Sequence, residues 1–219
     1  MTENRNEGGS GGSAPVWKNP FFIAFVVGAL SLVAIRPLQY AARSAPPPLL
    51  EPGAWSLIDH DGKAYGSDNL KGKVWIADFF FTRCPSVCPE LTRKMDEVRK
   101  RFPQNAEISF ISFSVDPGFD TPEVLRNHRS KLGIQDPRWR FITGSEERVQ
   151  EWLTERLRLH VGMPERETPQ DELFDISHAS RFALFDQNGA LRALASTDQA
   201  GLARLVGAAS LLLEEGPNP

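Results

Sequence analysis

The residues best suited to chemistry in this 219-residue chain are its two cysteines, Cys84 and Cys88, which lie within five positions of one another. A disulfide between such close neighbours would close a very small loop and would add little stability through chain entropy. A secreted fold that needed disulfides would also spread its cysteines along the chain. The pair therefore favours redox chemistry or metal binding over a purely structural role.

The spacing of the pair indicates which chemistry to expect. Three residues, Pro85, Ser86 and Val87, separate the cysteines, whereas thioredoxin-type reductants have two residues between theirs. The wider loop can still close a disulfide, but it also lets both sulfurs face a third ligand. Two thiolates suit Cu(I), and an imidazole beside them can bind Cu(I) or Cu(II). Zinc would usually need a fourth protein ligand or an open water position.

The flanking segments place the pair between a strand and a helix. The apolar run Val74 to Phe81 predicts a strand buried on both faces, and Pro89 to Phe102 has apolar residues at helical spacing. Cys84 is then at the carboxyl end of the strand, the edge at which open α/β sheets bind ligands. Cys88 is at the start of the helix, where the helix dipole lowers the pKa of a thiol.

Four histidines are candidates for a third ligand. We expect His60 to be solvated in a turn and His128 to lie on the surface of an amphipathic helix. His160 follows a predicted helix end, where the dipole favours imidazolium. His178 precedes a predicted strand, at the end of a loop that can fold over the cysteines. It ranks first, although lone histidines are more often structural than ligands.

The remaining pattern alternates strands with helices. Predicted strands run from Trp55 to Ile58 and from Lys63 to Tyr65, which form a hairpin, from Ile108 to Val115, from Trp139 to Thr143, and from Phe182 to Phe185 and Leu191 to Ala195, which form a second hairpin. One predicted helix opens at Thr121, and two others run from Ser145 to about Leu159 and from Asp198 to Glu214. Met163 to Asp175 is a charged loop. This order indicates an α/β fold with a mixed central sheet flanked by helices.

The amino-terminal part of the chain differs in character. An uncharged apolar run from Phe21 to Ile35 would span about 22 Å as a helix, against about 30 Å of bilayer hydrocarbon. We expect one transmembrane anchor there, with a signal peptide cleaved near Ala42-Arg43-Ser44 as the competing interpretation. The expected divisions are a polar tail (1–19), the anchor (20–40), a proline-rich linker (41–52), the folded domain (53–215) and a short tail (216–219).

The composition excludes one broad class of function. Hydrophobic residues make up 41% of the chain and charged residues 24%, as in ordinary globular proteins. The formal net charge of -3 argues against a nucleic-acid binder, which usually carries a basic excess.

Several segments resemble the SCO/SenC family of copper proteins. They are Phe81-Thr82-Arg83-Cys84-Pro85-Ser86-Val87-Cys88-Pro89, Ser114-Val115-Asp116-Pro117 with Asp120-Thr121-Pro122-Glu123, Trp139-Arg140-Phe141-Ile142-Thr143-Gly144, and Ser177-His178, within a resemblance over roughly residues 50–215. The resemblance implies a thioredoxin-like fold and copper bound by Cys84, Cys88 and His178. It also implies a role in assembling the binuclear copper site of cytochrome c oxidase, whose copper-binding subunit would be the partner, together with a copper donor protein. Arg83 and Ser86 depart from the residues expected in this loop, and Asp116 is either a group supporting the site or a simple turn aspartate.

Two functions come first at this point, with a copper-responsive signalling protein or a thiol peroxidase as further alternatives. The first is a copper chaperone that is not an enzyme, and the second is a thiol–disulfide oxidoreductase that reduces the cysteines of the oxidase copper site. Thioredoxin-type oxidoreductases carry a cis-proline before a late strand, but this chain has no proline from Gln170 to Glu215 and has His178 in that neighbourhood instead. A copper site working outside the cytoplasm predicts a cytoplasmic amino terminus and an extracytoplasmic (periplasmic) domain.

Overall fold

The fold is given by a computed structural model that describes residues 20–41, 44–83, 87–160, 174–175 and 181–216. The chain divides into two compact units, the first ending at Ser44 and the second beginning at Ala45. In the first unit, helix α1 spans Pro20–Ala41 over the predicted anchor, and its aromatic side chains Phe21 and Phe25 are exposed. No helix in the described part of the chain has both the length and the apolarity needed to cross a membrane.

The second unit is built on a mixed sheet. Its strands are β1 (Ser56–Asp59), β2 (Ala64–Gly66), β3 (Val74–Phe80), β4 (Ile108–Ser114), β5 (Trp139–Thr143), β8 (Arg181–Phe185) and β9 (Leu191–Ser196), with a separate pair β6 (Leu159–His160) and β7 (Phe174–Asp175). Its helices are α2 (Ser67–Leu70), α3 (Val87–Arg99), α4 (Pro122–Lys131), α5 (Glu146–Gln150) and α6 (Gln199–Glu215). The strand order in the large sheet is β2-β1-β5-β4-β3-β8-β9, and the predicted α/β class with a mixed sheet is confirmed.

Strands β3 and β4 form the centre of the sheet. All seven residues of each strand are buried, as expected for a strand covered on both faces. They run parallel from Val74 opposite Ile108 to Phe80 opposite Ser114, and the backbone N–H of Val115 donates to the carbonyl of Phe80 at 2.9 Å. The two strands therefore end together at one edge of the sheet.

Two apolar cores cover the two faces of the sheet. On one face, β3 residues such as Ile76 and Phe80 pack with α3, α4 and α6 through residues that include Met95. On the other face, Trp75 packs with Trp152 and neighbouring aromatic rings, and its ring stacks on Phe185 with centroids 3.6 Å apart. These cores hold β3 in place on both sides up to its last residue, Phe80.

Both predicted hairpins are confirmed, but one predicted helix is too long. Ser145 caps α5 by accepting from the N–H of Arg148, as the sequence predicts. The chain then forms a π-helical turn over Glu151–Arg156, and Arg158 takes a left-handed backbone conformation with φ of 54°. Leu159 begins β6 instead of ending the helix, because the left-handed residue redirects the chain and buries the leucine completely.

The proline-rich segment contacts the folded unit. Leu50 forms an antiparallel bridge with Leu191, the N–H of Leu49 donates to the Leu191 carbonyl at 2.7 Å, and Arg192 donates to the carbonyl of Pro46. Residues 46–50 therefore lie along β9, and the second compact unit begins at Ala45.

Candidate metal centre

Most of the predicted ligand set lies outside the residues that the structure describes. Helix α3 begins at Val87, so Cys88 occupies its first turn, after the end of β3. Cys84, His178 and the side chain of Cys88 lie outside the described residues. Among the residues that are described, no three His, Cys, Asp or Glu side chains are grouped so that they could hold a metal ion.

Strand β8 brings another part of the chain to the same edge. It pairs antiparallel with β3, with Trp75 opposite Phe185 and Ala77 opposite Ala183. Because the strands run in opposite directions, β8 starts beside the later half of β3, toward the edge where β3 ends. His178 precedes the first residue of β8, Arg181, by three positions in sequence.

The residues that lead from β3 toward Cys84 are held by Asp120. The backbone N–H of Thr82 donates to Asp120 Oδ2 at 3.1 Å, and the Thr82 hydroxyl donates to Asp120 Oδ1. A third donor, the hydroxyl of Ser114 at the end of β4, reaches Asp120 Oδ2 at 2.6 Å. Asp120 and Ser114 are both fully buried, so the carboxylate is satisfied without solvent.

Arg83, the residue before Cys84, is held more loosely. Its Nε donates to Asp116 Oδ2 at 3.0 Å, and its guanidinium lies over the ring of Phe119, 4.4 Å from the centroid. The Asp116 carbonyl accepts from the N–H groups of Phe119 and Asp120 at 3.0 and 2.8 Å. Asp116 therefore acts as a turn aspartate after β4, and it also pairs with Arg83, the residue next to Cys84.

Asp78 is a buried acid that the sequence reasoning missed. It lies in the middle of β3 with 1% of its surface exposed, and burial raises its pKa to about 7, with a hydrogen bond from Ser112 acting in the opposite direction. The same Ser112 hydroxyl accepts from Trp139 Nε1 at 2.9 Å, while Asp78 Oδ1 is buried without a hydrogen-bond partner. The signal was available, because an aspartate within a continuous apolar run has to be buried with the run.

The expectation for His60 is wrong, and the expectation for His128, which lies on the predicted helix α4, holds only in part. His60 is 3% exposed instead of solvated, because its Nδ1 accepts from the N–H of Phe141 at 3.3 Å, and burial lowers its pKa. His128 is half-buried, since its ring stacks on Phe80 at 5.8 Å, and burial lowers its pKa also. The backbone of His160 pairs with Asp175 in the small sheet of β6 and β7.

The fold and the position of the cysteine segment define a class of protein. A mixed sheet flanked by helices, in which a segment containing Cys84 separates a central strand from a helix, is the arrangement of thioredoxin-like domains. Within that class the assignment is specific. A model of the SCO1/SenC family matches residues 44–207, and the chain belongs to this family.

Known relatives agree with this assignment. The SCO1 protein homolog of Bacillus subtilis is 34% identical over 137 residues, which are 62% of this chain and 68% of that protein. The solved structure of BsSco, described as a member of the Sco family of cytochrome c oxidase assembly proteins, is 28% identical with a TM-score of 0.61, covering 76% of this chain and 98% of BsSco. Arabidopsis thaliana ScoI, solved with copper bound, is 25% identical with a TM-score of 0.55, covering 74% of this chain and 98% of that one. The alignments with curated relatives such as the Bacillus subtilis and Rickettsia prowazekii proteins span about two thirds of their lengths, 68% and 65%.

Proposed function

We propose that this protein is a copper chaperone that binds one copper ion through Cys84, Cys88 and His178. The observation that carries the proposal is that the family match, over residues 44–207, contains all three residues, in a family with a relative solved with copper bound. Two thiolates suit Cu(I), and the imidazole beside them allows the same site to bind Cu(II) as well.

The strands and the helix next to the proposed ligands in sequence support this ligand set. The end of β3 and the start of β8 lie toward one edge of the sheet, the usual ligand-binding edge of an α/β sheet, and α3 begins seven residues after β3 ends. The unpaired N–H groups and the dipole of the 13-residue helix α3 favour a thiolate at Cys88. Thiolate is the form of cysteine that binds metal.

The proposed destination of the copper is the binuclear copper site of cytochrome c oxidase. Support comes from BsSco, which is described as one of the cytochrome c oxidase assembly proteins. The copper-binding subunit of the oxidase would then be the acceptor, and a separate copper donor protein would load the chain. In this role the protein transfers a metal ion and need not turn over a substrate.

Copper titration tests the ligand set. The reduced protein is expected to bind one equivalent, and His178→Ala is expected to weaken binding at least tenfold because a three-ligand site loses its imidazole. His128→Gln is a matched control, since this histidine packs on Phe80 at 5.8 Å and is not a proposed ligand. Unchanged affinity in His178→Ala, or a loss of affinity in His128→Gln equal to that in His178→Ala, would contradict the proposed ligands.

A second function, thiol–disulfide exchange, has its own support. Cys88 lies in the first turn of α3, where the helix dipole lowers thiol pKa, and a disulfide switch has been described for BsSco. In this alternative Cys84 and Cys88 cycle between dithiol and disulfide and reduce the cysteines of the oxidase site without delivering metal. Turnover of a disulfide substrate by copper-free protein would favour it, and the absence of turnover together with copper binding would favour the chaperone.

We also propose that the amino-terminal segment holds the domain at the outer face of a membrane. The support is in the sequence, namely the uncharged run of residues 21–35 followed by a domain whose proposed work is outside the cytoplasm. The full chain is expected to remain with membranes after carbonate washing. A carboxyl-terminal alkaline phosphatase fusion is expected to be active, and release of the chain by carbonate or an inactive fusion would contradict this topology.

A further inference from the structure

We propose that Asp120 and Thr82 form a clasp that sets the direction in which the chain enters Cys84, which makes both of them positioning residues for the dithiol. The part of this inference that concerns copper affinity rests on the proposed function. The part that concerns the cysteine pair as a redox couple does not. The clasp joins the loop after β3 to the turn after β4.

The clasp fixes both the backbone and the side chain of one residue. The N–H of Thr82 donates to Asp120 Oδ2 at 3.1 Å, and its hydroxyl donates to the other oxygen, Oδ1. Two hydrogen bonds to different atoms of one carboxylate restrict the rotation of Thr82 about its backbone as well as about its side chain. Hydrogen bonds to a charged acceptor are about twice as strong as those between neutral groups.

The carboxylate itself has little freedom to move. Asp120 is fully buried, and its Oδ2 accepts from the Ser114 hydroxyl at 2.6 Å. The backbone N–H of Asp120 donates to the carbonyl of Asp116 at 2.8 Å. The next residue, Thr121, caps α4 by accepting from the N–H of Val124, with Pro122 at the first helical position. The clasp is therefore attached to β4 and to α4, two elements with buried residues in the cores.

The position of Thr82 strongly limits the position of Cys84. Two residues of extended chain span at most about 7 Å, so a displacement of Thr82 is passed almost directly to the cysteine. Ligand distances in metal sites tolerate only about 0.2 Å. A loop released from Asp120 would therefore bring its sulfur to the shared metal less often, and it would also alter the relative stability of dithiol and disulfide.

Thr82→Val is the most direct test. Valine keeps the shape of threonine and the backbone hydrogen bond, and it removes only the donor to Asp120 Oδ1. Thr82→Ser restores that donor, and Asp120→Asn keeps the size of the residue while replacing one acceptor oxygen by an amide group. Asp136→Asn is the matched control, because Asp136 is also a buried aspartate with several hydrogen bonds, but its partners Arg99 and Arg138 belong to other segments.

Two readouts on folded protein separate positioning from general stability. In Thr82→Val and Asp120→Asn we expect the copper dissociation constant to rise about tenfold and the equilibrium constant of the cysteine pair with glutathione to change at least threefold. Thr82→Ser is expected to stay within twofold of the wild type in both, and Asp136→Asn is expected to lose stability with neither readout changed.

The outcomes for the clasp and for the proposed function can be distinguished. Wild-type values in both readouts for Thr82→Val and Asp120→Asn would overturn the clasp, even if the wild-type protein binds copper. A wild-type protein that binds no copper would overturn the proposed function, while the glutathione equilibrium would still decide the clasp. Equal changes of the two readouts in Asp136→Asn and Thr82→Val would also overturn the clasp. The changes in copper affinity and in the glutathione equilibrium would then result from lost stability and not from a displaced Cys84.

Discussion

Two buried aspartates at opposite edges of the sheet use very different partners. Asp120 follows β4 and accepts hydrogen bonds from the neutral groups of Thr82 and Ser114. Asp136 precedes β5 and accepts from two guanidinium groups, those of Arg99 at 2.9 Å and Arg138 at 2.8 Å. Hydrogen bonding from Arg138 above all holds the pKa of Asp136 far below its ordinary value.

The two sets of partners give the two aspartates different roles, one in the stability of the fold and one in the position of the chain near Cys84. The Asp136 cluster connects α3, through Arg99, with β5, and Arg129 of α4 donates to the Asp136 carbonyl at 3.0 Å. Such charge pairs join elements of the core and contribute to the free energy of unfolding. The Asp120 cluster is built from neutral donors, and it holds Thr82, two residues before Cys84.

A third aspartate, Asp78, gives the largest expected effect, because it has no charged partner among the groups that shift its pKa. Its pKa of about 7 in the folded protein exceeds the unfolded value of about 3.9, so the folded state holds an extra proton between these pH values. Stability should therefore fall as pH rises from about 4 to about 7, by up to about 4 kcal/mol, and this contribution should stay constant above that range.

Asp78→Asn should remove this part of the pH dependence. In denaturant unfolding of the reduced, copper-free protein at pH 8, we expect the variant to be more stable than the wild type, with the difference shrinking toward pH 4. An amide can still bond to the Ser112 hydroxyl, which is a neighbour of Asp78 across β3 and β4. A difference that does not vary with pH would show that the ionisation of Asp78 does not oppose folding.

Asp136 should show the opposite pH window with a somewhat smaller effect. Because its folded pKa is lowered, its stabilising contribution is present above the unfolded pKa of about 3.9 and is lost as pH falls below that value. Asp136→Asn leaves two largely buried guanidinium groups without their carboxylate and should cost about 3 kcal/mol at pH 7. Unfolding curves of variant and wild type should converge toward pH 2, and a constant gap would contradict the charge pairing.

Ser114→Ala should weaken the other cluster more modestly. The Ser114 hydroxyl donates to Asp120 and accepts from the N–H of Asp116 at 3.1 Å, and the residue is fully buried. Its removal is expected to cost about 1.5 kcal/mol of unfolding free energy. Because Thr82 still holds Asp120, copper affinity should fall less than in Thr82→Val, and an equal or larger fall would mean that Ser114 is the main anchor.

Local patterns in the sequence were sufficient for much of this framework. The apolar run of β3, the helix starts near Thr121 and Asp198, and the hairpin of β8 and β9 each depend on neighbouring residues, and all are confirmed. The end of the helix after Ser145 was not predictable in this way. It depends on the π-helical turn and on the left-handed Arg158, which accompany the burial of Trp152 and Leu159 in the core and leave no local signal in the sequence.

The candidate site divides in the same way. Placing Cys88 at the start of a helix required only the flanking pattern, and the structure begins α3 at Val87. The contact between Thr82 and Asp120 joins residues 38 positions apart, and it exists because β3 and β4 pair in a register that ends with Phe80 opposite Ser114. A single sequence does not contain that register, so the partners of Asp120 could not be read from it.

Arg83→Gln is expected to change stability and copper affinity least among these variants. Arg83 pairs with Asp116 and lies over Phe119, but more than half of its side chain is exposed, at 57%. Exposed ion pairs contribute about 0.2–1 kcal/mol and weaken with salt, so the variant should lose less than about 1 kcal/mol of unfolding free energy. Its copper affinity should fall less than twofold at 0.5 M salt, because the clasp at Thr82 holds the loop independently. A tenfold loss of affinity at that salt concentration would instead place the control of Cys84 in the Arg83 pair and not in Asp120.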